Sequence, residues 1–179
     1  MESLAGRLLI SSPSLVDRNF RRTVVLMTHH DPEGAVGLVL SRPSELAISE
    51  ALPDLFGELP WADEVVYVGG PVQPEAVVVL VDVDDPEGVT PIIGGVAYLP
   101  PGADTTELSV SRARVFAGYS GWGPGQLEQE LQEEAWIVAG ALPDDVFSPD
   151  PDVLWRSVLE RMGRRFNLMA AMPLDPTMN

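Results

Sequence analysis

The sequence predicts an α+β fold, in which a mostly antiparallel β-sheet with hairpins carries a few packed helices within a single compact domain over residues 1–179. Three observations carry that expectation. β-branched, apolar runs flank a strong turn signal early in the chain, and two amphipathic helical segments lie near its end. No stretch has the composition of a flexible linker, and 179 residues suit one domain.

The elements follow in chain order. Arg7–Ile10 is a short apolar strand. Thr23–His29 and Ala35–Leu40 are strands separated by Asp31-Pro32-Glu33-Gly34. Asp first, Pro second and Gly fourth is the chemistry of a type I turn, which predicts a hairpin with a longer loop. The same tetrapeptide returns at Asp85-Pro86-Glu87-Gly88 after a strand over Ala76–Val83. The flanking segments do not align, so this is reuse of a good turn and not a repeat. Ile48–Phe56 reads as a short helix interrupted at Pro53. Val65–Val68 is a strand that runs into Gly69-Gly70-Pro71, and Pro91–Leu99 and Ser111–Gly118 are further strands. Leu99 to Asp104 is loop. Pro124–Glu133 pairs Leu127 with Leu131 on one helical face, and Trp136–Ala139 is a strand. Asp150-Pro151 then supplies an N-cap and a first-turn proline to a helix striped with Leu154, Trp155, Val158, Leu159 and Met162. Gly163 suits the position after its end, where Arg161, Arg164 and Arg165 complement the helix dipole.

Composition narrows the function. The absence of cysteine excludes disulfides, thiolate metal sites and cysteine nucleophiles, and fits the cytoplasm. Leu8-Leu9-Ile10 is broken at once by Ser11-Ser12-Pro13, too early for a signal peptide. The longest apolar run, Ala76 to Val81, falls far short of the roughly 20 residues of a membrane span. Net charge is −16, unevenly placed: residues 1–50 carry 6 acids and 5 arginines, the remainder 21 acids and 6 arginines. No lysine occurs, so every fixed positive charge is a guanidinium, which a GC-rich genome would also produce. A duplex-binding face would have to work against the negative field of the whole chain, and Arg18, Arg21 and Arg22 make only a small patch. Direct DNA binding is therefore not expected.

Four constellations bear on chemistry. His29-His30-Asp31-Pro32-Glu33 is the densest group of metal-type ligands, but neighbours on a strand face opposite ways, and the turn explains Asp31, Pro32 and Gly34 without a metal. Asp82–Gly88 resembles the start of a calcium loop and fails as one, with Glu87 where glycine is required and Ile93 where Glu should be. Gly118-Tyr119-Ser120-Gly121-Trp122-Gly123-Pro124-Gly125-Gln126 reads as a glycine-rich turn between a strand and a helix, a weak signal for phosphate and a weaker one for a nucleophilic Ser120, since Trp122 stands where a nucleophile elbow needs glycine. Finally, Arg18, Arg21, Arg22 and Arg42 flank the first hairpin, whose two ends meet in an antiparallel pair. They would clasp a carboxylate or phosphate, or neutralise carboxylates of the chain itself, and the acidic excess favours the second.

Leu8–Pro13, Phe20–Val25, Gly34–Pro43, Gly69–Val72 and Gly118–Glu130 together resemble the YqgE/AlgH family of bacterial proteins, in the family's order as far as about Leu159. The resemblance implies an α+β fold with no established catalytic residues or cofactor; some members are labelled transcriptional regulators. Ser41 departs from the asparagine usual before Arg-Pro. The resulting expectation is a non-catalytic binding or regulatory domain without catalytic residues, metal or cofactor. It would recognise a small anionic ligand or a protein partner through Arg18, Arg42, Gly69, Gly70, Tyr119, Ser120, Trp122 and Gly123. A hydrolase or phosphotransfer enzyme is the alternative, and it needs His29 or His30 within reach of Ser120. A regulator acting through a protein partner is the third reading.

Overall fold

The computed structural model describes residues 2–53, 61, 64–85, 87–103 and 108–172. Strands β1 (Arg7–Ser11), β2 (Val24–Asp31), β3 (Gly34–Val39) and β4 (Pro43–Ala47) lead to a single helical turn, α1 (Ile48–Ala51). Then come β5 (Val65–Val68), β6 (Val72–Val83), β7 (Thr90–Ile93), β8 (Val96–Tyr98) and the long β9 (Val110–Trp122). Helix α2 (Gln126–Gln132), β10 (Trp136–Gly140), α3 (Pro143–Val146), α4 (Pro151–Arg161) and α5 (Arg164–Ala170) complete the described chain. The sheet runs β10-β1-β2-β3-β9-β6-β8-β7, with β4 and β5 attached alongside β9. Its ladders are antiparallel except β5 against β9.

Side-chain alternation places helices on both faces of β1 and β2. Leu8, Ile10 and Leu26 pack with Leu154, Trp155, Val158 and Leu159 of α4. Leu9, Val25 and Met27 face the other way, towards Leu127 of α2, Trp122 and Trp136. A third cluster joins Val79, Val81, Ala113 and Val115 to Ile48 and Trp61.

β9 organises this arrangement. One of its edges pairs with β6. Its other edge takes β5 at Phe116 and Ala117 and then β3 from Ser120 to Trp122. Gly69 and Gly70 lie at the hand-over. The Gly69 N–H donates to the Ala117 carbonyl at 2.9 Å, and its own carbonyl accepts the Val39 N–H at 2.9 Å and the Ser120 hydroxyl at 3.1 Å. A Cβ on Gly69 would stand 2.4 Å from the Gly118 carbonyl oxygen, and one on Gly70 2.2 Å from the Tyr119 carbonyl carbon. Opposite them Gly118 takes a φ of 70°, and the alternation of β9 slips there: Phe116 and Tyr119, three apart, both pack into the α4-side core.

Several sequence expectations need correction. Gly118–Trp122 is strand and not part of a turn; Gly118 answers the close passage of the Gly70 and Val72 backbone. The turn shrinks to Gly123–Gly125, and α2 begins at Gln126 because Gly125, at φ 74°, holds the N-cap in a left-handed conformation. The first hairpin has no longer loop: Asp31 pairs with Gly34, and its Oδ1 accepts the N–H groups of Glu33 and Gly34 at 2.8 and 3.2 Å. Pro91–Leu99 is two strands, β7 and β8, around Gly94 and Gly95. Asp150 makes no side-chain capping bond. Arg164 and Arg165 open α5, which the stop signal at Gly163 concealed. The helix expected over Ile48–Phe56 covers Ile48–Ala51; residues 54–56 lie outside the described residues.

Two neighbouring glycine substitutions should therefore diverge. Gly70→Ala is expected to destabilise the fold by more than about 3 kcal/mol, since backbone must move. Gly123→Ala, with open space around its Cβ, should stay within about 0.5 kcal/mol. Urea denaturation of both variants measures the contrast.

Candidate functional site

The residues singled out by sequence do gather in one region, because the 17–22 loop touches both ends of it. Phe20 stacks on Trp122 with centroids 6.0 Å apart and meets Trp136 edge-on at 5.4 Å. One residue further on, the Arg21 carbonyl accepts Nη2 of Arg42 at 2.6 Å. The Arg42 carbonyl in turn accepts the Val68 N–H, which places Arg42 beside Gly69 and Gly70.

Most of this chemistry is engaged within the fold. Trp122 is 6% exposed, and its indole N–H donates to Oε2 of Glu130 at 2.9 Å. Trp136 donates its own indole N–H to that same oxygen at 2.7 Å, while Gln126 donates to Oε1 at 3.0 Å. One carboxylate thus organises an aromatic triad of Phe20, Trp122 and Trp136. Ser120 is fully buried, its hydroxyl committed to Gly69. Tyr119 pairs with Val72 and packs its ring into the α4-side core. Of the eight candidates, Arg18 and Gly123 are exposed, and the Gly123 N–H donates to Gln126 Oε1.

Nor do the arginines at the first hairpin form ion pairs with carboxylates among the described residues; Arg22 and Arg42 instead bind backbone carbonyls. Burial holds the Arg42 guanidinium below its usual range. Arg22, in a left-handed conformation at φ 52°, donates to the Met172 carbonyl and lies 4.7 Å over the Trp155 ring. Burial is the largest cause of its lowered pKa, with Arg156 and Arg21 adding repulsion. Ion pairs form elsewhere: Arg112 with Asp82 and Asp144, and Arg161 bidentately with the buried Asp145 at 2.8 and 2.9 Å. The last of these ties α3 to α4 instead of simply facing a helix dipole.

The two histidines point to opposite faces. His29 is exposed and bonds Asp31 at 2.8 Å. His30 is buried; its Nδ1 accepts the Leu4 N–H at 3.0 Å, which leaves Nε2 to donate to Glu128 at 2.7 Å. That bond is the main reason the Glu128 carboxyl sits below its usual range. Neither histidine bonds Ser120, whose hydroxyl donates to the Gly69 carbonyl. No three His, Asp or Glu side chains among the described residues converge as metal ligands.

What sequence reading missed is a groove at the β10 edge of the sheet. Leu131, Trp136 and Ile137 line one side of it, and Phe166, Met169 and Met172 of the α5 region line the other. Glu133, Glu134 and Arg165 stand around it. The signal available was the apolar spacing of Phe166, Met169 and Met172 beyond Gly163.

An open, largely antiparallel sheet clasped by helices, with its glycines at a backbone crossing and a carboxylate-centred tryptophan cluster, defines a class of α+β domain whose motif residues build the fold. The AlgH-like family model matches residues 8–167, and the chain belongs to that family. A UPF0301 protein of Streptomyces coelicolor is 40% identical, covering 100% of this chain and 97% of the relative. A UPF0301 protein of Thermobifida fusca is also 40% identical, over 99% and 96%. Among solved structures, protein DIP2367 of Corynebacterium diphtheriae superposes with a TM-score of 0.82 at 30% identity, covering 93% of this chain and 91% of that one. The solution structure of the AlgH protein of Pseudomonas aeruginosa gives 0.75 at 31%, over 96% and 95%.

Replacing Glu130 by Leu leaves two indole donors without their acceptor and should cost about 2 kcal/mol or more. Glu130→Gln, which keeps an acceptor oxygen, should lose less than half of that. Equilibrium unfolding followed by tryptophan fluorescence measures both.

Proposed function

We propose that this chain is a non-catalytic binding domain of the cytoplasm that acts through a protein partner. The observation that carries this reading is the internal engagement of the reactive groups. Ser120, His30 and Trp122 each have their side-chain polar atoms bonded to the protein itself, and Arg42 gives one guanidinium nitrogen to the Arg21 carbonyl. A substrate would have to break those bonds to be acted upon. The net charge of −16 selects for basic partners, so any effect on transcription would run through a DNA-bound protein and not through DNA.

A second reading rests on Arg18, exposed and without a bonded partner among the described residues, in the loop whose Arg21 carbonyl accepts Arg42. There a small anion would be held between Arg18 and Arg42.

A thermal-shift panel of nucleotides, sugar phosphates, carboxylates and divalent metals separates the two, run on the native protein and on Arg42→Ala. The protein-partner reading predicts a flat panel. A ligand at about a hundred times its dissociation constant adds about 2.7 kcal/mol, roughly 5–10 °C for a domain of this size. A shift of that order, lost in Arg42→Ala, would establish the anion site in place of the leading reading.

A further inference from the structure

β10 ends the sheet, and no strand among the described residues pairs with its outer edge. The Ser12 N–H donates to the Ala135 carbonyl, so on this ladder Ile10 bonds Ile137 and Leu8 bonds Ala139. The backbone groups of Trp136, Val138 and Gly140 then point away from β1. Arg161 takes the Gly140 carbonyl at 3.0 Å; those of Trp136 and Val138 have no partner among the described residues. Such an edge is a template for an added strand, which native proteins usually cover or block. Here apolar side chains flank it: Leu131 on the α2 side, and Phe166, Met169 and Met172 on the other. Leu168, 81% exposed, lies on the same short helix.

The rim supplies the chemistry of the occupant. Arg165 of α5 is also on the rim, but Glu133 and Glu134 stand at the start of β10, and the Glu134 carboxylate has no hydrogen bond or ion pair among the described residues. Glu134 also holds a left-handed backbone at φ 58°, just past the end of α2, where glycine is the usual and less strained residue. Among the described residues the Glu134 side chain has no internal role that accounts for a charge at this strained position.

We infer that the β10 edge and the α5 groove bind an extended segment of a partner protein in which apolar residues alternate with lysine or arginine. The segment adds a strand to β10, seats its apolar side chains against Phe166 and Met169, and brings its cations to Glu133 and Glu134. A second copy of this chain fits less well, because its own surface carries the same negative charge. This inference rests on the reading of the chain as a protein-binding domain and names the class of partner.

The test uses the full chain and two short synthetic peptides of alternating valine with either arginine or glutamate. Fluorescence anisotropy should show binding of the arginine peptide alone, weakened by salt, with amide chemical-shift changes centred on Trp136 and Val138. Methylating alternate peptide nitrogens should weaken binding by about tenfold, the loss of one or two edge hydrogen bonds. Glu134→Gly should raise the melting temperature by a few degrees and still weaken binding by about threefold. That combination separates recognition from damage to the fold. Val138→Pro, tolerated at an edge strand whose N–H faces outward, should weaken binding as methylation does. Equal binding of both peptides, no binding of the arginine peptide, or a dimer through β10 that excludes it would each overturn the inference. Binding with shifts confined to the groove beside Val77 and Pro100–Ala103 would overturn this site while leaving a protein-binding domain standing.

Discussion

The fold depends on one place where two backbones pass in contact. Gly69 and Gly70 cross β9 at Gly118–Ser120 with no room for a Cβ on either glycine. At that point β9 exchanges its partner from β5 to β3, and the Gly69 amide and carbonyl bridge the two. β9 can therefore serve both halves of the sheet without an unbonded gap along that edge. The slip at Gly118 follows, and it is what turns Trp122 towards the α2 side while Phe116 faces α4. Buried Ser120 secures the crossing from below by donating to the same Gly69 carbonyl.

The tryptophan cluster closes the α2 face of that arrangement. Burying indole N–H groups is costly without an acceptor, and Glu130 provides one oxygen for both Trp122 and Trp136. Phe20 packs against both rings, which draws the 17–22 loop down onto the sheet and brings the Arg21 carbonyl to Arg42. Near this hairpin Arg22 and Arg42 each donate to a main-chain carbonyl, and Arg22 also lies over the Trp155 ring. The guanidinium group suits both uses, whatever drove the absence of lysine.

Much of the architecture was legible in the sequence because local chemistry agreed with the fold. The Asp31–Gly34 turn, the apolar stripe of α4 and its stop at Gly163 all form where their residue types predict. The errors share a cause. Glycines in Gly118–Gly125 signal a turn when only the local chain is considered, whereas Gly118 answers a close contact with Gly70, distant in sequence, and only Gly123 and Gly125 lie in the turn itself. Sequence brought Arg42, the paired glycines and the Tyr119–Gly123 segment to one region, and the structure does gather them. It could not reveal that their polar atoms are mutually engaged, nor that α5 restarts beyond a helix stop to form a groove against β10.

The central claim is that the glycine-rich segment of β9 is architecture and not a ligand loop. Native-state amide hydrogen exchange tests it residue by residue. The account predicts that Val39, Gly69 and the bonded amides between Gly118 and Trp122 exchange only through global unfolding, while the outward amide of Val138 exchanges quickly. Exchange of the Gly69 and Gly118–Trp122 amides at loop rates, with the rest of the sheet protected, would contradict it.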